Sequence, residues 1–259
     1  MGQKKKLTVV KVGGKILEEE STLAALLERF AKIEGAKVLV HGGGRSATQL
    51  AGKLGVETKM IDGRRVTDDE MLKIVTMVYG GLINKTVVAR LQALGVNALG
   101  MTGADLNIIR SHRRPVKDVD YGWVGDVDKV DGEMLAALIE KGVVPIVAPL
   151  THDGEGHMLN TNADTMAGET ALGLVPYYDV ELVFCFEKPG VLRDENDDES
   201  VVPVIDRGSF EALKSEGVIT GGMIPKVENS LKSIEKGVKK VIITKSSYLG
   251  DYAKGTKII

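Results

Sequence analysis

The chain has 259 residues, of which 43% are hydrophobic, and that is enough to bury a sizeable core in one large domain or two small lobes. Its 34 basic and 36 acidic residues leave a formal net charge of -2, which argues against a nucleic-acid-binding protein, because such proteins usually carry a basic excess. The only cysteine, Cys185, lies in an apolar run and is predicted to be buried rather than catalytic. No segment resembles a signal peptide or reaches the roughly 20 apolar residues that span a bilayer, so we expect a cytoplasmic protein with no membrane partner.

Short runs rich in valine and isoleucine alternate with amphipathic stretches along the whole chain. The predicted strands are nearly continuous apolar runs, typical of strands covered on both faces: Leu7–Val12, Ala36–His41, Val96–Met101, Val143–Ala148, Val180–Phe186 and Val238–Thr244. The predicted helices have apolar residues at spacings of three and four: Thr22–Ile33, Arg45–Leu54, Asp68–Leu94, Asp131–Glu140, Ala163–Leu172, Ser209–Glu216 and Met223–Lys236. This alternation predicts an α/β fold with a mainly parallel central sheet.

The middle of the chain interrupts this alternation. Asn107–Asp128 contains arginine-rich and glycine-containing segments of alternating character, which predict a β-hairpin insertion. The acidic run Asp194–Ser200 is typical of a solvated loop. A soft boundary near Pro176 separates residues 1–176, which carry most of the glycine loops, from residues 177–259, which start a new strand–loop–helix series.

Two glycine runs each follow a valine-rich strand and precede a helix. They are Lys11–Lys15 and His41–Arg45, the second with three consecutive glycines. Glycines at such turns bring backbone N–H groups close to a ligand, and two loops on neighbouring parallel strands would face one crevice. A site that holds a polyanion from two sides is therefore predicted. The P-loop pattern, the dinucleotide-binding glycine pattern and the protein-kinase triplets are all absent.

Five motifs occur in a fixed order along the chain. They are Lys11–Gly14, His41–Gly44, Gly63–Thr67, Asn160–Asp164 and Gly221–Lys226. Together they resemble the amino acid kinase family, from about Leu7 to Ile259. The resemblance implies an open αβα sandwich of two lobes, with residues 1–176 binding an acyl-amino acid and carrying the dimer contacts, and residues 177–259 binding ATP. The motifs are most similar to those of the members that transfer a phosphoryl group from ATP to the γ-carboxylate of N-acetyl-L-glutamate in arginine biosynthesis.

The resemblance implies three catalytic residues. Lys11 and Lys226 would stabilise the transferring phosphoryl group from its two sides, and Asp164 would orient both lysines. Phosphoryl transfer depends on positioning and on charge neutralisation, which suits this set. No general base is needed, because a carboxylate is already ionised at neutral pH.

The resemblance also implies the substrate contacts. Arg65 would hold the α-carboxylate of the acyl-glutamate, since a guanidinium can meet a carboxylate with two parallel hydrogen bonds. Asn160 would hold the α-carboxylate or the acylamide region of the substrate. Gly43 and Gly44 would lie against the substrate carboxyl group and the γ-phosphate, and Gly14 would donate its N–H to the transferring phosphoryl group.

The expected nucleotide contacts belong to two segments of the second lobe. They are Glu187, Lys188, Gly190, Val191 and Leu192 in the first segment and Val218, Ile219 and Thr220 in the second. Here the sequence departs from the family, because Phe186 and Glu187 replace a small hydroxyl residue and an aspartate. The implied cofactor is ATP with Mg²⁺ held by the phosphates, and no histidine spacing predicts a protein-bound metal.

For the assembly, we expect a homodimer formed through Asp68–Leu94 that free arginine does not inhibit. The alternatives left open are another acceptor, such as carbamate, aspartate, glutamate or UMP, and a non-catalytic amino-acid sensor on the same fold. An N-succinyl-L-glutamate substrate would need one more cation, for which Arg64, Arg110 and Arg113 are candidates by sequence. An NAD-dependent oxidoreductase is a third alternative, but the chain lacks its glycine pattern.

Overall fold

The computed structural model describes residues 4–61 and 63–259. In chain order the strands are β1 (Lys6–Val12), β2 (Ala36–His41), β3 (Met60–Ile61), β4 (Arg64–Arg65), β5 (Ala98–Met101), β6 (Ile109–Arg113), β7 (Gly125–Val130), β8 (Val144–Val147), β9 (Leu150–His152), β10 (Met158–Asn160), β11 (Asp179–Phe186), β12 (Val204–Ile205), β13 (Lys240–Lys245) and β14 (Thr256–Ile258). The helices are α1 (Gly14–Glu18), α2 (Glu20–Ala31), α3 (Gly44–Lys53), α4 (Asp69–Val75), α5 (Asn84–Ala93), α6 (Gly132–Glu140), α7 (Ala163–Leu174), α8 (Arg207–Ser215) and α9 (Met223–Glu235).

The main sheet has eight strands in the order β12-β14-β13-β11-β1-β2-β8-β5. Only β13 and β14 pair antiparallel, and all the other neighbours in this sheet run parallel. Each of the six strands predicted from the sequence belongs to this sheet. The strand next in the chain, β2, lies on one side of β1, and β11 from the second half of the chain lies on the other. The order of the strands therefore reverses at β1, and ligands of open α/β sheets bind at such a point, beyond the carboxyl ends of the strands.

The sheet separates two hydrophobic cores. Leu7 and Val9 of β1 face the core that contains side chains of α6, α7, α8 and α9. Val10 and Val12 face the other core, to which α2, α3, α4 and α5 contribute. Each fully buried side chain of this kind contributes about 1.5–3 kcal/mol through its removal from water. The αβα sandwich is confirmed, and the central strands are anchored from both sides.

The predicted hairpin insertion is confirmed and belongs to a second sheet. β6 pairs antiparallel with β7, and the sheet order is β10-β9-β6-β7. Backbone hydrogen bonds join the chain around Trp123 to Thr67. The carbonyl of Trp123 accepts the N–H of Asn160. The insertion thus ties two of the motifs, Gly63–Thr67 and Asn160–Asp164, to each other.

The predicted helix Asp68–Leu94 is observed as one continuous helix over Asp69–Ala93, capped by the side chain of Asp68. Its middle, Thr76–Ile83, is a π-helical stretch that the sequence did not predict. By length and composition alone the helix could cross a membrane, but 44% of its most apolar window is buried inside the protein. Its inner face belongs to the second core, so it is a core helix with one apolar outer face.

Candidate active site

Three charged side chains from three separate elements meet beyond the carboxyl end of β1. Lys11 precedes the last residue of β1, Asp164 lies in the first turn of α7, and Lys226 lies in the first turn of α9. The Lys11 Nζ is 2.7 Å from one Asp164 carboxylate oxygen, and the Lys226 Nζ is 3.5 Å from the other. The structure therefore brings the three predicted catalytic residues together, with Asp164 between the two lysines.

The charges of this triad depend on one another. Burial acts to raise the pKa of Asp164, but the two lysine charges and their hydrogen bonds outweigh it, so the pKa is lowered and the carboxylate stays ionised. Burial lowers the pKa of Lys226, with Lys11 adding to the effect and Asp164 opposing it. At the start of α7, the side chain of Asn162 accepts the N–H groups of Asp164 and Thr165, which fixes the carboxylate on the first turn. The result is two closely spaced cations that share a single anion.

A cavity of about 230 Å³ adjoins Lys11 and is formed by residues of the N-terminal part of the chain, up to Ala163. It is lined by Lys11, Gly14, Gly42, Gly43, Gly44, Met60, Gly63, Arg64, Arg65, Tyr79, Val124, Pro149, Asn160, Thr161, Asn162 and Ala163. All four predicted substrate-binding residues, Gly43, Gly44, Arg65 and Asn160, are among them. Gly14, predicted to contact the transferring phosphoryl group, lies at the same wall as the two glycines of the second loop.

Arg65 is a buried cation of the cavity, with 8% of its surface exposed. One terminal nitrogen, Nη2, donates to the carbonyl of Gly44 at 2.7 Å and to the hydroxyl of Thr48 at 2.9 Å. The other, Nη1, donates to Thr58 Oγ1 at 3.3 Å and contacts the Met71 sulfur at 3.7 Å. The guanidinium is therefore held in one orientation without any ligand, which reduces the entropy lost when an anion binds.

Two hydrogen bonds connect Asn160 to Arg65 through the side chain of Thr67. The side-chain nitrogen of Asn160 donates to Thr67 Oγ1 at 2.9 Å, and the Thr67 hydroxyl donates to the backbone carbonyl of Arg65 at 3.2 Å. Asn160 and Thr67 are buried. The amide oxygen and the second N–H of Asn160 have no described partner among the side chains, so they are available to the cavity.

Among the glycines that line the cavity, Gly43 has the least room for a side chain. Its φ is +153°, and a Cβ there would lie 2.5 Å from Ile83 Cδ1 and 2.8 Å from Tyr79 Cδ1. We expect Gly43→Ala to destabilise the protein by roughly 2–4 kcal/mol through backbone strain and overpacking. Urea unfolding measures the effect, and Gly52→Ala is the control, because a Cβ at Gly52 meets nothing within 4 Å. Equal stability of the two variants would contradict this account of the loop.

The ring of His41 contacts the backbone of the same glycine loop. Its Nδ1 lies 2.8 Å from the carbonyl of Gly42, an acceptor, so Nδ1 carries the proton and donates. The Asn84 side-chain nitrogen lies 3.1 Å from Nε2 and 2.9 Å from the carbonyl of Ile146, so both its hydrogens are used and Nε2 accepts. If the ring were protonated, Nε2 would also be a donor and would lie opposite the donor nitrogen of Asn84. The site therefore requires the neutral imidazole.

Acid should weaken the fold through His41. Burial lowers its pKa from 6.5 to about 4, so the folded protein resists a proton that the unfolded chain accepts. The stabilisation is fully present above pH 6.5 and is lost as the pH falls from 6.5 to about 4, a loss of about 3 kcal/mol. Urea unfolding between these pH values measures it. The unfolding free energy of His41→Asn should lack this dependence on pH. That of His112→Asn, at a side chain that is 52% exposed, should keep it.

The first predicted nucleotide segment begins at the surface. Glu187 is exposed and lines a separate cavity of about 420 Å³ between α2 and the end of β13. The Lys188 Nζ donates to the carbonyl of Glu195 at 3.0 Å and lies 3.2 Å from Asp198, so it binds the acidic loop. Neither residue lines the cavity that contains Lys11. Their contact with a nucleotide stays a prediction.

Gly190 and Val191 of this segment pack against Thr256 of β14. The N–H of Val191 donates to Thr256 Oγ1 at 2.8 Å, and a Cβ at Gly190 would lie 2.6 Å from the same oxygen. Leu192 forms an isolated bridge with Val201. Glycine at 190 thus has a packing reason of its own, and any role of these residues toward ATP is untested.

The second predicted nucleotide segment follows α8. Ile219 is 1% exposed and belongs to the first core, so only its backbone could reach a ligand. Val218 is half-buried, and Thr220 is exposed next to the turn that leads into α9 and Lys226. Of the three, Thr220 is the best placed to meet a nucleotide at the Lys226 end of the site.

Sequence reasoning missed Tyr79 and Thr161 as cavity residues. Arg64 is exposed but lines the cavity, whereas Arg110 and Arg113 do not. Tyr79 lies in the π-helical stretch, and no pattern of apolar residues indicates which way such a stretch faces. Thr161 and Asn162 could have been found, because they lie inside the Asn160–Asp164 motif.

A second group of polar side chains lies in the turn between β9 and β10. One ligand atom from each of Asp153, Glu155 and His157 lies within 4.8 Å of the others, a spacing that could hold a metal ion. However, one Asp153 oxygen already accepts the N–H groups of Glu155 and His157, and the other pairs with His157 Nδ1 at 2.6 Å. Burial acts to raise the pKa of Asp153, but the hydrogen bonds from Glu155 and His157 together outweigh it and lower the pKa to about 2. We assign this group to the stability of the turn.

The sequence profile of the amino acid kinase family matches residues 6–245. An acetylglutamate kinase of Bacteroides thetaiotaomicron is 66% identical over 255 residues, which cover 98% of this chain and 99% of the relative. An acetylglutamate kinase of Methanopyrus kandleri is 38% identical over 242 residues, covering 92% and 94% of the two chains. The similarity therefore runs over essentially the whole length of both relatives.

Solved structures of lower identity share the fold. The N-acetylglutamate synthase of Neisseria gonorrhoeae, complexed with coenzyme A and N-acetyl-glutamate, aligns with a TM-score of 0.82 at 21% identity, over 97% of this chain and 59% of that chain. The carbamate kinase of Giardia lamblia bound to AMP-PNP aligns with a TM-score of 0.73 at 17% identity, over 98% of each chain. The family profile over residues 6–245 and the 66% identity to a full-length relative show that the chain belongs to the amino acid kinase family.

Proposed function

We propose that this protein transfers the γ-phosphoryl group of ATP to the γ-carboxylate of N-acetyl-L-glutamate, forming N-acetyl-L-glutamyl 5-phosphate and ADP in arginine biosynthesis. The observation that carries the proposal is that Lys11, which shares Asp164 with Lys226, lines the same cavity as the fixed guanidinium of Arg65. A substrate with two carboxylates fits this arrangement, because one can bind Arg65 while the other approaches the lysines.

The reaction then follows from charge and position. Arg65 pairs with the α-carboxylate, and Asn160 binds the neighbouring polar atoms of the substrate. An oxygen of the γ-carboxylate forms a bond to the γ-phosphorus, the bond from that phosphorus to the bridging oxygen breaks, and its electron pair leaves on ADP. Lys11, Lys226 and the N–H groups of Gly14 and Gly44 neutralise the charge on the transferring oxygens, which is the main contribution that a protein makes to such a reaction.

We place the nucleotide in the C-terminal part of the chain, residues 177–259, with Thr220 and the start of α9 next to its phosphates. Within residues 4–61 and 63–259, no carboxylate lines the cavity, and Asp164 is paired with two lysines. This donor set fits Mg²⁺ that is held by the phosphates of ATP, where it would neutralise their charge. The protein would then bind the metal only together with the nucleotide.

The test is the trapping of acyl phosphate by hydroxylamine in the presence of MgATP. Hydroxamate should form with N-acetyl-L-glutamate and not with free glutamate, aspartate or carbamate. N-succinyl-L-glutamate is measured in parallel, because Arg64 lines the cavity and could meet the carboxylate of the succinyl chain. Faster turnover of the succinyl substrate would reassign the acyl group. Binding of N-acetyl-L-glutamate without any turnover would support an amino-acid sensor instead.

We further propose a cytoplasmic homodimer that forms through the outer face of the helix Asp69–Ala93 and binds neither nucleic acid nor membrane. Met77 and Leu82 on this face are 52% and 64% exposed, a large apolar exposure for one helix. Leu82→Glu should convert the dimer to a monomer in sedimentation experiments, because an unpaired charge would be buried in the interface. Leu54→Glu, at a residue that is 57% exposed after α3, is the control. A monomeric wild type, or a hexamer, would contradict this assembly.

A further inference from the structure

The ring of Phe186 contacts both lysines of the triad. Phe186 is the last residue of β11, next to the end of β1. The Lys226 Nζ lies 3.4 Å from the centroid of the ring, and the Lys11 Nζ lies 5.2 Å from it. Phe184 stacks on Phe186 with centroids 6.2 Å apart, which supports the orientation of the ring.

An ammonium group within about 6 Å of a ring centroid is attracted by the negative face of the ring, most strongly where water is excluded. Such an attraction would stabilise the charged form of Lys226. The groups that face it are Asp164 from α7, Lys11 from β1 and Glu187 just beyond β11, and burial lowers its pKa. The aromatic face favours the charged ammonium without adding a negative charge, whereas another carboxylate would repel a phosphoryl group.

We propose that Phe186 is a positioning residue that holds the Lys226 ammonium opposite Lys11 for phosphoryl transfer. The inference rests on the proposed kinase function, since it assigns Phe186 a role in that reaction. Phe186 does not itself contact the reacting atoms. It acts through Lys226, whose ammonium lies between the ring and Asp164.

The kinetic test compares two replacements of the ring. Phe186→Leu keeps an apolar side chain that excludes water but lacks the aromatic face, and we expect kcat to fall about 10-fold with the KM for the acyl-glutamate unchanged. Phe186→Tyr keeps the face, so kcat should stay within about threefold of the wild type. The alkaline limb of the kcat profile should move to lower pH in the leucine variant only.

A second readout does not depend on turnover. The rate at which an amine-directed reagent modifies Lys226 is followed against pH by peptide mass spectrometry, in the free protein. Without the ring the neutral amine is relatively favoured, so the midpoint should fall by roughly one pH unit in Phe186→Leu. Phe210→Leu is the matched control, because Lys214 lies over that ring at 5.8 Å on α8, none of whose residues lines the cavity.

The outcomes separate the two proposals. If the wild type forms no hydroxamate, the kinase function fails, and the modification data still report whether the ring acts on Lys226. If the wild type is active but Phe186→Leu matches it in kcat and in the modification midpoint, the role of Phe186 is overturned. Equal losses in Phe186→Leu and Phe186→Tyr with an unchanged midpoint would show that the ring is only a spacer, which also overturns the inference.

Discussion

Replacing Lys226 with methionine is expected to lower kcat by about 10²–10³-fold, because the variant lacks one of the two cations that stabilise the transferring phosphoryl group. Methionine keeps much of the length and volume of the side chain, so packing beside Phe186 is retained. Asp164 keeps its closer partner, the Lys11 Nζ at 2.7 Å, and the carboxylate is not left without a cation. The fold should therefore survive, and the loss should appear in kcat more than in the KM for the acyl-glutamate.

Initial rates of hydroxamate formation measure this effect, with urea unfolding as the check on the fold. Lys232→Met is the matched control, since Lys232 lies on the same helix, is 55% exposed and pairs with Glu228 at 3.4 Å. The control should retain kcat within about threefold, because an exposed ion pair of this kind contributes little. A Lys226→Met protein with near-normal kcat would remove the second lysine from the mechanism.

Replacing Arg65 with lysine should raise the KM for the acyl-glutamate by about 10–100-fold, because lysine keeps the charge but loses the hydrogen bonds that fix the cation in the cavity. Arg65 makes four contacts through its two terminal nitrogens, to Gly44, Thr48, Thr58 and Met71. A lysine has one nitrogen and cannot reproduce the fixed fork. Because Arg65 binds the end of the substrate that does not react, kcat should change much less than KM.

Initial rates at varied acyl-glutamate and saturating MgATP measure the two constants. Arg90→Lys is the control, because Arg90 lies on α5 and pairs at 2.9 Å with Glu20, whose side chain is 85% exposed. An Arg65→Lys enzyme with unchanged KM and reduced kcat would mean that Arg65 acts on the phosphoryl group rather than on the α-carboxylate. That result would reverse the direction in which the substrate lies in the cavity.

The sequence by itself determined the class of fold, the main elements and the identity of the triad. Strand and helix patterns are local, since they depend on the periodicity of neighbouring side chains, and this is why the six central strands and the long helix were predicted within a few residues. Lys11, Asp164 and Lys226 were found through motifs that are themselves short. Their meeting at one point follows from topology, because parallel strands end at the same edge of a sheet.

Only the tertiary structure decided which side chains complete the site. Tyr79 and Ile83 contact Gly43 from a π-helical stretch, and the spacing of apolar residues does not predict such a stretch. His41 is neutral because it is fully buried between Gly42 and Asn84, a contact across 43 positions of the chain. Phe186 meets Lys226 only because β11 and the start of α9 converge. Contacts of this kind join residues far apart in sequence, so their energies depend on how the elements pack and cannot be read from any one segment.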